Sequence, residues 1–421
     1  MLRPQDVEAA AARLAPYLQP TPTVRSRFFC ALTGCEVYLK EENLQRGGSF
    51  KLRGALNRLL TLPPAKRQRG VITASAGNHG QGVAIAAGIV GCRATVVMPL
   101  NAPLAKIEAT RAYGARVVLH GASYDDAQEQ AFRLAAGRHL TYVPAFDDLA
   151  VMAGQGTVAL EMLAAVPDLE ALVVPVGGGG LIGGIATVAK CHTPPLRVYG
   201  VQAAGAAAAV AAFHSGRLQP TPDVHTFADG IAVKAPSALT LAHLRERVDD
   251  VVAVPDDWIA EAVVLLMERT KLVVEGAGAA GLAALLAGRL ALKGACVGVV
   301  LSGGNIDLTT IDRIVQHGLT AAGRYLVFRT RLEDRPGELA RLSALLARLR
   351  VNILEVRHHV RGVALGVNEV ELELTVETRN VAHGEQVLER LRDGGYTVAP
   401  EPRLAAMVPA ERPRTRRGAE R

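Results

Sequence analysis

Aromatic residues are scarce in this chain: Phe, Tyr and Trp make up 4% of 421 residues, with a single Trp. A core must then be built from Val, Leu, Ile and Ala, and 49% apolar residues with 42 glycines suits helices laid on a parallel sheet. Cysteine is also sparse. The odd count of five (Cys30, Cys35, Cys92, Cys191, Cys296) contains no CxxC pairing, so reduced thiols in a cytoplasmic protein are expected. Long apolar runs are missing too. Residues 1–20 alternate charged and small side chains without the apolar stretch of a signal peptide. The long uncharged run, residues 171–189, holds six glycines and Pro175, which fits strand, loop and helix start and not a membrane span.

The net charge of +7 is unevenly spread: residues 401–421 carry six Arg against three Glu. That segment, with Pro402, Pro409 and Pro413, has the composition of a disordered, solvated tail, and no nucleic-acid or membrane partner is expected. The length suffices for a large catalytic domain and a small second one.

From about Val37 to Val300, β-branched runs alternate with Ala/Leu-rich helical stretches. Gly70 to Thr73, Ala94 to Met98 and Arg116 to Leu119 each precede a helical pattern, and Leu172 to Val176, Arg197 to Val201 and Val297 to Leu301 add further strands. This spacing predicts right-handed βαβ units, an α/β class with mostly parallel sheets, and ligands at the carboxyl ends of the strands. After Gly323 the pattern changes. Residues 325–398 follow a βαββαβ order, with an amphipathic helix through Leu339, Leu342, Leu345, Leu346 and Leu349. Val370, Leu372, Leu374 and Val376 then alternate onto one face, as in a ferredoxin-like domain. The expected boundaries are 1–312 for the catalytic part, 313–323 for a linker, 324–400 for the small domain and 401–421 for the tail.

Three loops carry candidate chemistry. Ser49-Phe50-Lys51-Leu52-Arg53-Gly54 follows Gly47 and Gly48 and leads into a helix. A lone lysine there would simply be solvated, whereas a Schiff-base lysine needs a dry site with cover such as Phe50. Gly177-Gly178-Gly179-Gly180-Leu181 follows a strand and opens a helix, leaving backbone N–H groups free to converge on an anion. Gly178-x-Gly180-x-x-Gly183 also matches a dinucleotide fingerprint, but the next strand ends in Gln202, not in an acid for the ribose. A monophosphate is the better expectation. Ser75-Ala76-Gly77-Asn78-His79-Gly80 lies between strand and helix, where its N–H groups suit a carboxylate, or where Ser75 or Asn78 simply caps the helix.

Together with Ser302-Gly303-Gly304-Asn305, these segments closely resemble the threonine dehydratase (threonine ammonia-lyase) family over residues 15–312. That family is pyridoxal-5′-phosphate dependent, with a tryptophan-synthase-β-like fold. Residues 325–398, with Asp334-Arg335-Pro336-Gly337-Glu338-Leu339, look like an ACT regulatory domain. The resemblance implies that Lys51 holds the cofactor as a Schiff base with Phe50 near the ring, and that Asn78 contacts the 3′-oxygen. It implies that Gly177, Gly178, Gly179, Gly180 and Leu181 bind the phosphate, and that Ser302 faces the pyridine nitrogen. Ser75, Ala76, Gly77 and His79 would form the substrate carboxylate pocket. L-threonine and L-serine are the implied substrates, isoleucine or valine the implied effectors, and a homodimer or homotetramer the implied assembly.

Serine racemase shares much of this pattern but carries a second serine where this chain has Ala76, and its metal-binding acids are replaced here by Gln202 to Ala208. No metal site is therefore expected. β-Replacement enzymes such as cysteine synthase usually carry Asp where Leu52 stands. A non-catalytic amino-acid sensor would require loss of Lys51 or of the glycines. Glu275 is compatible with the pocket or with a helix cap, His358-His359 with the surface, and Asp229 to Lys234 with a family loop of no assigned role.

Overall fold

The computed structural model describes residues 1–221, 223–359 and 365–400. The chain divides into two compact units, Met1–Leu308 and Thr309–Arg421. The basic tail falls outside the described residues.

The first unit holds two sheets, where the strand pattern by itself predicted parallel pairing without a partition. The six-stranded sheet runs in the order Thr23–Arg25, Glu36–Glu41, Cys296–Leu301, Ala171–Pro175, Arg197–Ala203, Asp250–Val254. It is parallel except for the antiparallel pairing of Thr23–Arg25 with Glu36–Glu41. Its central strands Ala171–Pro175 and Cys296–Leu301 are buried on both faces, which is why they are continuous apolar runs without alternation. The second sheet is parallel throughout, in the order Arg116–Leu119, Ala94–Met98, Val71–Ala74, Thr141–Tyr142.

The helices Lys51–Thr61 and Gly180–Ala189 both pack on the long helix Leu149–Ala165. On the first of these, Leu52, Ala55, Leu56 and Leu59 recur at helical spacing and are fully buried. The crossings are backbone to backbone. A Cβ on Gly154 would lie 2.5 Å from the Arg53 carbonyl oxygen and 2.7 Å from Gly54 Cα, and one on Gly156 2.7 Å from the Gly184 carbonyl oxygen.

Beside the first crossing lies a buried charge cluster. Arg53 forks onto Glu42 with Nε–Oε2 and Nη2–Oε1 both at 2.8 Å, and onto Glu161 with Nη1–Oε1 at 2.5 Å and Nη2–Oε2 at 2.8 Å. Lys40 Nζ donates to Glu161 Oε2 at 2.6 Å and to the Thr21 carbonyl at 2.7 Å. Burial drives the Arg53 guanidinium down, but the two carboxylates more than reverse this and hold it above its ordinary value. For Lys40, burial outweighs the attraction of Glu161 and lowers the amine.

In the second unit the strands Tyr325–Glu333, Asn352–His359, Glu369–Glu377 and Val398–Pro400 form an antiparallel sheet with Glu369–Glu377 and Tyr325–Glu333 central. Helices Glu338–Arg348 and Val381–Asp393 complete the βαββαβ order. Val370, Leu372, Leu374 and Val376 face one core with Leu342, Leu346 and Leu391. Leu339, grouped with that helix face from spacing, is exposed. The stretch 313–321, expected within a linker, is helical instead, as part of Leu308–Ala321. Ile311, Ile314, Val315 and Leu319 recur there at helical spacing, a signal the boundary assignment overlooked.

Replacing Arg53 with Met strands the buried Glu42 carboxylate, while Glu161 keeps Lys40, and is expected to lower unfolding free energy by about 3–5 kcal/mol, measured by urea titration against wild type.

Candidate active site

The candidate residues converge at the carboxyl ends of parallel strands from both sheets. Lys51 is the first residue of its helix, and the loop before it lies against the end of Cys296–Leu301. Ser49 bridges Gly303, Phe50 N donates to the Ser302 carbonyl at 3.2 Å, and Gly304 N donates to the Gly48 carbonyl at 2.9 Å. Gly47 and Gly48 permit this turn with φ of +83° and +72°. The buried Ser302 is thereby held beside the Phe50–Lys51 peptide.

Lys51 is half-buried by surface area, but its amine lies deep in the protein. Nζ donates to the Ala145 carbonyl at 3.3 Å and sits 5.1 Å from the centre of the Phe50 ring. Burial pushes the amine down to about 8, against the pull of Glu275. Its place at the positive end of a helix acts in the same direction.

Asn78 does not cap its helix. Its Nδ2 donates to Glu275 Oε1 at 2.6 Å and its Oδ1 accepts from Asn305 Nδ2 at 2.8 Å, while Asn305 Nδ2 also reaches the Gly47 carbonyl at 2.7 Å. Glu275 likewise does not cap with its side chain. Burial, then the charge of Asp229, push its carboxyl up to about 7. Ser75 Oγ accepts from Gly77 N at 3.1 Å, so that loop N–H is already engaged. Ala76 packs on the core of the second sheet. His79 is buried with Nε2 on the Val143 carbonyl at 3.0 Å and no partner for Nδ1. Burial and then the nearby Lys51 push its ring down to about 3, so it is neutral.

The glycine run joins Ala171–Pro175 to Gly180–Ala189, with Gly179 at φ +90°. Side chains would not fit here. A Cβ on Gly178 would enter the Phe146 ring, and one on Gly180 would come within 2.8 Å of Phe146 Cβ. The first N–H groups of the following helix have no intrahelical acceptor. Leu181 buries its side chain in the core, leaving only its backbone toward the loop.

A family model described as pyridoxal-phosphate dependent enzyme matches residues 14–303. The chain belongs to the pyridoxal-phosphate dependent enzymes. A second model, the ACT domain, matches residues 326–393. This pyridoxal-phosphate dependent enzyme is 46% identical over 393 residues to the L-threonine ammonia-lyase of Geobacter sulfurreducens, covering 93% of this chain and 98% of that one. Among solved structures it resembles the processed form of threonine deaminase isoform 2 from Solanum lycopersicum, with 36% identity and a TM-score of 0.71 over 74% of this chain and 87% of that one. Maize serine racemase is also similar, with 34% identity and a TM-score of 0.72 over 76% and 98%. The catalytic unit thus has the tryptophan-synthase-β-like fold.

The residues of this pyridoxal-phosphate dependent enzyme fit the cofactor. A desolvated amine and a strand-to-helix turn without side chains would accept a ring bearing an aldehyde and a phosphate, and His79 Nδ1, buried without a partner, lies near that amine. Ala145 and Phe146 had not been singled out from sequence. They follow the two-residue strand Thr141–Tyr142, too short to leave a periodic signal. Asn305 closes the motif Ser302-Gly303-Gly304-Asn305, and its tie to Asn78 has no signal in the sequence. Among the described residues no group of three or more His, Cys, Asp or Glu is placed to hold a metal, and no helix is long and apolar enough to cross a membrane.

Only the free amine of Lys51 can attack an aldehyde, so raising the pH speeds cofactor capture. Uptake of pyridoxal phosphate by apoprotein, followed by absorbance, is expected to accelerate with a midpoint near the amine's value of about 8. A midpoint near about 10.4, that of a solvated lysine, would contradict the desolvated site.

Proposed function

We propose that this enzyme is an L-threonine ammonia-lyase that gives 2-oxobutanoate and ammonium, and that it also converts L-serine to pyruvate. One observation carries the reading: the desolvated amine of Lys51 stands in the site, and residue 76 of the loop Ser75–Gly80 is an alanine, with neither acid nor base to serve as its counterpart. The activity named for the Geobacter relative supports the same substrate.

The chemistry the cofactor supplies is an electron sink that acidifies the substrate Cα–H. Gly177, Gly178, Gly179, Gly180 and Leu181 would hold its phosphate through N–H groups at the positive end of a helix. Asn78, fixed between Asn305 and Glu275, would contact the 3′-oxygen. Phe50 would cover the ring, and the Ser302 hydroxyl would face the pyridine nitrogen. A neutral hydroxyl there could not compensate a full positive charge by ion pairing, a setting that would suit prompt loss of a β-substituent. Ser75, Ala76, Gly77 and His79 bound the substrate carboxylate. Lys51 Nζ removes the Cα proton. The hydroxyl departs as water, taking up a proton equivalent to the one lost from Cα, and the enamine left behind tautomerises and is hydrolysed by a second water to the oxo acid and ammonium.

The racemase reading draws on likeness to solved racemases, maize serine racemase among them. A methyl at residue 76 can neither give nor take a proton, so elimination prevails over racemisation. Purified protein given L-threonine or L-serine is expected to release oxo acid and ammonia, and Lys51→Ala to slow this by at least about a thousandfold. Equal turnover by the variant would sink the mechanism. The two substrates differ by one methyl, worth about 1–3 kcal/mol of discrimination.

We place the enzyme in the cytoplasm, consistent with Cys30, Cys35, Cys92, Cys191 and Cys296 all being free thiols. The edge strand Asn352–His359 is largely exposed and supports pairing of ACT domains in a homodimer or homotetramer, with isoleucine or valine as effector. Differential binding to two states is what such control needs. Isoleucine or valine is expected to shift the threonine saturation curve, and an unchanged curve with both amino acids refutes the effector assignment.

A further inference from the structure

Residues 229–234, Asp229-Gly230-Ile231-Ala232-Val233-Lys234, belong to neither sheet and have no part in the chemistry above. They nevertheless lie against the glycine turn. A Cβ on Gly177 would meet Val233 Cγ2 at 3.2 Å and both the Gly230 carbonyl oxygen and Ile231 Cα at 3.3 Å. From the other side, a Cβ on Gly230 would lie 3.3 Å from Glu275 Oε1, the oxygen bonded to Asn78. Ile231 is buried, whereas Asp229 and Lys234 at the two ends are exposed.

The segment hangs from the six-stranded lobe. Just before it, Thr226 Oγ1 and Phe227 N donate to the Asp256 carboxylate at 2.7 and 3.0 Å, and at its far end Thr221 N donates to the Lys234 carbonyl at 2.8 Å. Its two charged ends are bonded to the four-stranded lobe. Lys106 Nζ, on the helix Leu104–Ala112, is ion-paired with Asp229 Oδ2. Lys234 Nζ donates at 2.6 Å to Asp125 Oδ2, in the first turn of the helix Tyr124–Arg138. The polarity reverses from one end to the other: the four-stranded lobe contributes a cation at residue 229 and an anion at residue 234.

We propose that residues 229–234 are a strap closing the cofactor cradle, and that Lys106, Asp229, Asp125 and Lys234 are positioning residues that hold the two lobes shut over it. The reversed polarity fixes the register, since any exchange of ends would oppose Asp229 to Asp125 and Lys106 to Lys234. The second pair is exposed on both sides, at 54% and 60% of side-chain area, so salt screens it and its hold is weak. Weak closure suits a strap that must open in every cycle to admit an amino acid and release the product.

The strap rests on the reading of this site as an amino-acid lyase, and its test separates the two. Asp125→Lys and Lys234→Asp are made singly and together, with Lys106→Gln as an independent break at the other end. Two quantities are measured on the holoenzyme: threonine kinetics at low salt, and deuterium exchange of the amides of residues 231–233. Each single variant is expected to raise KM about fivefold with kcat little changed and to speed exchange in the strap. The double charge swap is expected to restore both, which repair of a merely folded-state defect would not do. The strap is overturned if the single variants leave exchange at 231–233 unchanged, or if the double swap is as impaired as either single. Exchange needs no turnover, so swap-dependent protection without threonine turnover would uphold the strap and refute the lyase reading.

Discussion

The forked contact of Arg53 with Glu42 and Glu161 is the constraint on which the active site depends. Arg53 sits two residues after Lys51, on the opposite side of the same helical turn, so fixing its planar fork fixes the direction in which the lysine leaves the helix. With Lys40 the cluster holds two cations and two anions and is electrically balanced. Such a cluster adds little stability relative to apolar packing, but any other arrangement would strand a charge. It also joins the strand Glu36–Glu41 and the lysine helix to the helix Leu149–Ala165, far from both in the chain.

The electrostatics of the pocket follow from that fixed frame. Lys51 is close enough to influence both His79 and Glu275, and burial is the largest influence on each of the three. It disfavours charge on all three: the amine falls, the imidazole stays neutral and the carboxyl rises. Stability responds with opposite signs in acid. His79, with its folded-state value depressed to about 3, contributes stability that is lost as pH falls below its ordinary 6.5. Glu275, raised to about 7, contributes stability that is present below its ordinary 4.5 and lost as pH rises toward 7. The two partly cancel across the same range.

The sequence was most informative where a local rule has one outcome. A strand running into four glycines and then a helix leaves few backbone options, and an alternating strand such as Glu369–Glu377 has only one face to bury. The convergence of Lys51, Asn78, Ser302 and the glycines was foreseeable from resemblance, but its means were not. Asn305 links Gly47 to Asn78 across more than two hundred residues, and Glu275 reaches Asn78 across a similar interval. No spacing rule encodes contacts of that range. Periodicity likewise identified strands without assigning them to sheets, because parallel pairing is settled by crossover packing. The helix over 313–321 is legible in its apolar spacing, although it lies next to a change of pattern that reads as a boundary.

The helix Leu149–Ala165 touches the lysine helix at Gly154 and the phosphate-turn helix at Gly156, in each case main chain against main chain. It therefore works as a gauge block. The span between the Lys51 helix and the glycine turn is set at these two points by peptide geometry, with no side chain between the touching backbones. Residues lining the pocket can then change while the two helix starts stay at the same separation. The mechanical reference of the site and its selectivity are carried by different atoms, and each can vary without disturbing the other.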